Sequence, residues 1–492
     1  MEKYQIVDTF RGYRTKTDKT KVSAGYLIEG SQNVLSTDGE NIKIRTGYEL
    51  WGAEDTSLTP VEASTTWRTK RGDELTLRAY DDELEVYFGS AWTRIEDGWS
   101  SVDFCFPEDG SEAIGWWDDT EKQDIILFVN GDDNIYEWSG GITTFASATA
   151  NTITKQGTSA WGEEGFYTTR DKKVKIGGTE YTYTGGEDTT TLTGVTPDPT
   201  VAGHTAGDVV VQSVVTNADS PGSDSTVFSN DIISILNNQL WVASEINRLV
   251  YVSADDDFTD FTFSSPRTPG EGAILNLDGT PTAMAVQEDA MYISAGNSQW
   301  YQSLFTLSAD NTAESLSIKR LKTTGQGSAN NRNAISKIKN DVVFISKEPT
   351  IDFLGRVEDV DTPQSKPISD PIKPDLDGYD ISNAHIKYFR NNIYIALPSE
   401  SLVLIYNIEK GFWEAPQVLP IRRLEVFGGE LYGHSNSTAA SYKLFTGTSD
   451  NGNAIDSKAV FSYENFGDRG NEKSVSEAYI EGYISTIPNL PL

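Results

Sequence analysis

Seven times along this chain a tight polar turn leads into a short apolar strand. The turns read Tyr80-Asp81-Asp82-Glu83, Gly131-Asp132-Asp133-Asn134, Asn237-Asn238-Gln239, Gln287-Glu288-Asp289, Lys339-Asn340-Asp341, Arg390-Asn391-Asn392 and Phe427-Gly428-Gly429-Glu430. The strands that follow begin at Leu84, Ile135, Leu240, Ala290, Val342, Ile393 and Leu431, so the spacings are 51, 105, 50, 52, 51 and 38. Four of the six lie within one residue of 51, and 105 is about twice that. A repeat of roughly 50 residues holding two or more strands is the pattern of a β-propeller. A single unit cannot cover both faces of its small sheet, whereas a ring of blades covers them and removes most sheet edges. Unrelated hairpins in two or three sandwiches would not keep this spacing.

The expected fold class is therefore all-β: a β-propeller of about seven blades, six to eight being compatible with the signals. Runs rich in Val, Ile, Tyr, Phe and Thr, such as QDIILFVNGDDNIYEW, end at Gly, Asn and Asp, and no long segment has helical periodicity. The double spacing contains a Thr- and Gly-rich stretch from Gly165 to Gln212 with short alternating strands. It reads as a small inserted β-domain, with a divergent blade as the rival. The expected organisation is residues 1–60 as an arm and strands that close the ring, 61–154 as the first blades, 155–225 as the insert, and 226–492 as the remaining blades and C-terminal strands.

Composition narrows the class. The formal charge is 40 − 73 = −33, yet 37% of the 492 residues are hydrophobic and 11% aromatic, which excludes an aromatic-poor disordered acidic chain. No run approaches the roughly 18 apolar residues of a membrane span. The N-terminus lacks the apolar segment of a secretory signal. The single cysteine, Cys105, cannot form an intrachain disulfide. Such an acid excess argues against general nucleic-acid wrapping, because phosphates are repelled.

Signs of catalysis are sparse, and we expect no enzyme, no cofactor and no metal. His204, His385 and His434 lie far apart, outside any HExxH pattern, and His204 reads as a solvated loop residue. There is no GxxxxGK[ST] loop and no GxSxG elbow. PDLDGYD, with Asp375, Asp377 and Asp380, matches half of a calcium loop but lacks its distant Glu. The adjacent Trp116 and Trp117 should point to opposite faces of a strand.

Charge is uneven. Residues 1–22 hold Lys3, Arg11, Arg14, Lys16, Lys19 and Lys21 against three acids, and residues 319–347 hold Lys319, Arg320, Lys322, Arg332, Lys337, Lys339 and Lys347 against Asp341. On an acidic chain these are candidate docking patches for another copy or a partner. The candidate contacts are Arg11, Arg14, Lys16, Lys19, Lys21, Lys319, Arg320 and Lys322.

The stretch from Phe10 to Gly52 carries a resemblance. Gly12, Gln32-Asn33-Val34, Gly39, Ile42, Arg45 and Gly47-Tyr48 match the opening of β-propeller structural proteins of tailed-bacteriophage particles. Asn33 and Gly39 would make turns, and Gly47 a tight bend before the first blade. The segments NRLVYVSADDDFTDFTFSSP and LNLDGTPTAMAVQEDAMYISAGNSQWY resemble later blades of the same family. The resemblance implies a virion protein assembled in the host cytoplasm. It implies a nozzle-like ring, usually a hexamer, that docks below the adaptor or portal near tail fibre proteins. Genomic DNA would pass it without sequence-specific binding. Nozzle-like members continue into further β-domains, whereas this sequence ends at SEAYIEGYISTIPNLPL, so either the distal domains are missing or supplied elsewhere, or this is a shorter relative. Two other readings fit the residues: a receptor- or glycan-binding tail protein, which needs exposed aromatic platforms, and a propeller glycosidase, which needs a facing carboxylate pair.

Overall fold

The computed structural model describes residues 10–16, 25–37, 41–53, 57–99, 103–107, 114–132, 134–217, 229–264, 268, 270–287, 290–296, 298–307, 314–320, 329–339, 341–355 and 364–461. Among these, six antiparallel sheets of four strands and one of five follow one another along the chain, and we number them as blades 1 to 7. Their first strands are Ala63–Arg68, Gly115–Asp118, Ile232–Leu236, Pro281–Gln287, Ile335–Ile338, His385–Phe389 and Ile421–Phe427. From blade 3 to blade 7 each first strand adjoins the next, and that of blade 7 adjoins that of blade 1. The protein is an all-β propeller, and we call the space bordered by its first strands the channel.

The core lies between blades. Trp116, Ile125, Ile233, Trp241, Val252, Met284 and Ile293 form one buried cluster across blades 2 to 4, and Ile345, Ile386, Ile395 and Trp413 form another across blades 5 and 6. This explains why Gln123–Phe128 and Gln239–Ser244 are buried along their whole length. A strand sandwiched on both faces reads as a continuous apolar run rather than an alternation.

The last blade is completed from the other end of the chain. Tyr48–Leu50 pairs antiparallel with Ser441–Leu444 and supplies the outer strand of blade 7. Gly47 thus precedes the strand that finishes blade 7, not the first blade. Trp51 follows that strand and is buried against Tyr432 at 4.1 Å, Tyr87 at 4.7 Å and Trp92 at 4.8 Å, which ties blade 7 to blade 1.

The Thr/Gly-rich insert is a separate six-stranded sheet running from Ile142 to Gln212, so it starts and ends earlier than 155 and 225. It leaves blade 2 after the third strand, Ile135–Trp138, and returns into the fourth, Val215–Asn217. The extra length in the 105-residue spacing therefore lies within blade 2. The first two turns precede third strands, Glu83–Phe88 and Ile135–Trp138, while the later five precede second strands. The first and second hairpins of a blade use the same Asp, Asn and Gly turn chemistry, so the turns alone do not tell them apart.

Candidate functional site

Three places combine buried charge with contacts between distant elements. The first is the joint where the N-terminal stretch enters the ring. Arg45 is fully buried, and its guanidinium donates to both carboxylate oxygens of Asp450, at 2.6 and 2.7 Å. Arg45 Nε also donates to Asn33 Oδ1 at 3.0 Å, and Asn33 Nδ2 donates to the Asp456 carbonyl at 2.6 Å. The same Asn33 oxygen accepts from the Val418 amide at 2.7 Å. Asn33 has φ of 55°, a left-handed conformation that Asn tolerates better than most residues. A side chain at Gly47 would overlap the Ser449 carbonyl. Three residues of the Phe10–Gly52 motif therefore meet in one locked turn. Gly39 lies outside the described residues.

The second is the foot of the insert. Glu121, in a turn of blade 2, accepts from the backbone amides of Thr168, Thr169 and Arg170 at 2.7, 3.1 and 2.9 Å, and from both threonine hydroxyls. Burial pushes this carboxyl up, but the hydrogen bonds from Thr169, Thr168 and Arg170 outweigh it and hold it below the usual carboxylate range. Arg170 also pairs with Asp118 and, at 2.9 Å, with the fully buried Glu137. Burial raises the Glu137 carboxyl against the opposing pull of Arg170. Tyr167 donates to Glu137 at 3.0 Å, and Trp138 Nε1 to the Gln212 carbonyl at 3.0 Å. The insert is thus held to blade 2 in one orientation.

The third is the channel mouth. The C-terminal ends of four first strands bring Thr66 and Arg68 of blade 1, Lys337 of blade 5, Lys387 and Tyr388 of blade 6, and Glu425 and Val426 of blade 7 around a cavity of about 410 Å³. Lys339 and Glu74 complete the lining. Lys387 and Glu425 are both buried and pair at 3.1 Å. Glu74 accepts from the Gly428 amide at 3.2 Å.

The basic patches read from the sequence divide in space. Arg11 is exposed, and Arg14 is half-buried against Tyr26. Lys16 pairs with Asp370 at 2.9 Å on the connector between blades 5 and 6. Beside them, Tyr13 donates to Asp375 at 2.6 Å, so this part of the arm lies on its own chain. Lys19, Lys21 and Lys322 lie outside the described residues. Lys319 and Arg320 end the outer strand of blade 4, opposite Tyr301 and Trp300 in register. Lys337 and Lys339 instead reach the channel mouth. The gathering of Arg68 and Lys387 beside them was not visible in the sequence, because the four come from three blades.

Other sequence candidates fall into structural roles. His204 is not a solvated loop residue: its ring is packed against Phe145 and bonded to Tyr181 at 2.6 Å, which carries the loop into the insert core. His434 is fully buried and bonded to Ser441 at 2.8 Å, and burial holds its imidazole well below the ordinary value. Asp375, Asp377 and Asp380 turn to different partners, Tyr13, Lys373 and Ser399. Trp116 is buried and Trp117 exposed, with Lys70 over its ring at 4.0 Å. Trp161, Tyr167 and Tyr181 are buried in and beneath the insert, so they offer no aromatic platform. No group of three or more His, Cys, Asp or Glu suited to a metal occurs among the described residues. Among them, too, no helix is long and apolar enough to cross a membrane.

No family model matches the chain, and no curated protein matches its sequence. Among solved structures it is similar in fold to the WD40 β-propeller domain of Doa1, with a TM-score of 0.39 at 12% identity over 81% of this chain and 96% of that one. It is also similar to BamB from Moraxella catarrhalis, with a TM-score of 0.33 at 10% identity over 77% of this chain and 82% of that one. The computationally designed Ika8 protein gives 0.36 at 11% identity over 81% of this chain and all of that one.

Proposed function

We propose that this chain is a non-catalytic structural component of a bacteriophage tail, a nozzle-like propeller that forms a ring with its own copies below the adaptor or portal. The observation that carries this reading is the joint of Asn33, Arg45 and Gly47. These residues belong to the stretch that resembles phage tail propellers, and they meet in space and serve one purpose, the closing of blade 7. A ring that bears the passage of a genome benefits from a closed, rigid propeller and from an insert fixed in direction. The acid excess of the whole chain agrees with a protein that does not wrap nucleic acid, since phosphates are repelled.

Light scattering on the purified chain tests the assembly. The monomer is 54.1 kDa, and a hexameric ring has a mass on the order of 325 kDa. Antibody against the chain should also label the tails of phage particles released by cells that carry its gene. Unlabelled particles, together with a monomer in solution, would overturn the reading.

A further inference from the structure

The channel mouth is a basic pocket in an acidic protein. Six of its nine lining residues are charged: Arg68, Lys337, Lys339 and Lys387 against Glu74 and Glu425. Lys387 and Glu425 satisfy one another. Glu74 accepts from the Gly428 amide and keeps its negative charge, opposite Arg68 in register, so the lining holds four cations against two carboxylates. Arg68, Lys337 and Lys339 form no ion pair among the described residues, and Glu74 is the one other carboxylate in the lining. Like charges around a shared cavity repel, at several tenths of a kcal/mol or more per pair near a surface. The chain has 73 carboxylates and only 40 basic residues, yet this lining reverses the balance, with four basic residues against two acidic ones.

Geometry limits what neutralises them. The three cations come from blades 1 and 5, so one ligand must present more than one negative group to meet them all. Lysine serves phosphate or sulfate oxygens as a point charge, and an arginine fork holds two of them at once. The Thr66 hydroxyl adds a polar contact, and Tyr388 and Val426 supply an apolar wall. The volume of about 410 Å³ lies at the small-molecule end of the usual range. We propose that the channel mouth binds a compact small molecule carrying two or more phosphate or sulfate groups, held by Arg68, Lys337 and Lys339. This site is independent of the tail reading and stands or falls separately.

Titration calorimetry of the full chain tests it. Tripolyphosphate is the probe, and pyrophosphate, inorganic phosphate and sulfate are the comparison arms. Saturable binding of tripolyphosphate with one site per chain is expected, with orthophosphate and sulfate weaker. Lys337→Gln and Lys339→Gln should each weaken it by about tenfold, a change of about 1.4 kcal/mol. Arg68→Gln, an exposed position whose loss leaves folding intact, should do the same. Lys122→Gln removes an exposed cation elsewhere and should leave binding unchanged. Absence of saturable binding by the unaltered chain overturns the proposal, as does equal weakening by Lys122→Gln, which would mark general charge attraction.

Discussion

Arg45 and Asp450 stand 405 positions apart and are joined by two charge-assisted hydrogen bonds, Nη1 to Oδ1 at 2.6 Å and Nη2 to Oδ2 at 2.7 Å. The pair fastens the N-terminal stretch to the segment that follows blade 7. It is the electrostatic half of a closure whose packing half is Trp51.

Arg45→Ala leaves Asp450 without this partner and takes from Asn33 Oδ1 one of its two donors, the Val418 amide remaining. Breaking a buried pair by removing one member destabilises by about 3–5 kcal/mol. Arg45→Lys should recover little, because a single ammonium cannot reproduce the two-pronged contact plus the bond to Asn33. Chemical denaturation of the three proteins reads this directly. A midpoint for Arg45→Lys equal to the parent's would refute the two-pronged account.

Gly47→Ala tests close approach without any change of charge. Its Cβ would overlap the Ser449 carbonyl, so the strand Tyr48–Leu50 must shift from Ser441–Leu444. We expect a loss of about 2–4 kcal/mol. Gly428→Ala is the comparison, since a Cβ there meets nothing and only its positive φ of 57° resists, at about 1 kcal/mol. Hydrogen exchange should show the Tyr48–Leu50 amides losing protection in the first variant alone.

Arg170→Met should free the insert from its fixed direction. It removes the partner of the buried Glu137 and of Asp118, while the core of the insert, built on Phe145, Trp161, Val174, Tyr181 and Leu192, stays whole. Limited proteolysis should cut near the foot of the insert at least several-fold faster than in the parent, with blades 3 to 7 still resistant. Unchanged cleavage would show that the Glu121 contacts suffice alone.

Glu414 predicts a pH dependence. It is buried, accepts from the Ser36 amide at 2.9 Å, and has its carboxyl pushed up to about 7, chiefly by burial. In the unfolded chain a Glu titrates near 4.3. Between those values the folded state binds more protons than the unfolded one. The contribution of Glu414 is therefore fully present below about 4.3 and is lost as pH rises through about 7. Glu414→Gln keeps an acceptor for Ser36 and abolishes the titration. The parent should lose on the order of 2–3 kcal/mol relative to this variant between pH 4.5 and 8. Parallel stability curves for the two proteins across that range would contradict it.

What the sequence determined by itself was the local grammar. Tight Asp, Asn and Gly turns and apolar β-branched runs are short-range signals, so the strands, their recurrence and the all-β propeller class were legible in it. The texture of the insert was legible too, because its Thr-rich alternation is also local. The tertiary structure decided everything that depends on distant partners. It decided that turns of the same chemistry belong to different hairpins in blades 1 and 2, and that Tyr48–Leu50 completes the blade begun at Ile421. It gathered Arg68, Lys337, Lys339 and Lys387 at one mouth and sent Lys319 and Arg320 to an outer strand. The physical reason is ring closure. Curling the chain about an axis brings into contact residues hundreds of positions apart, and side-chain charge has no sequence period that announces where on the ring it will face.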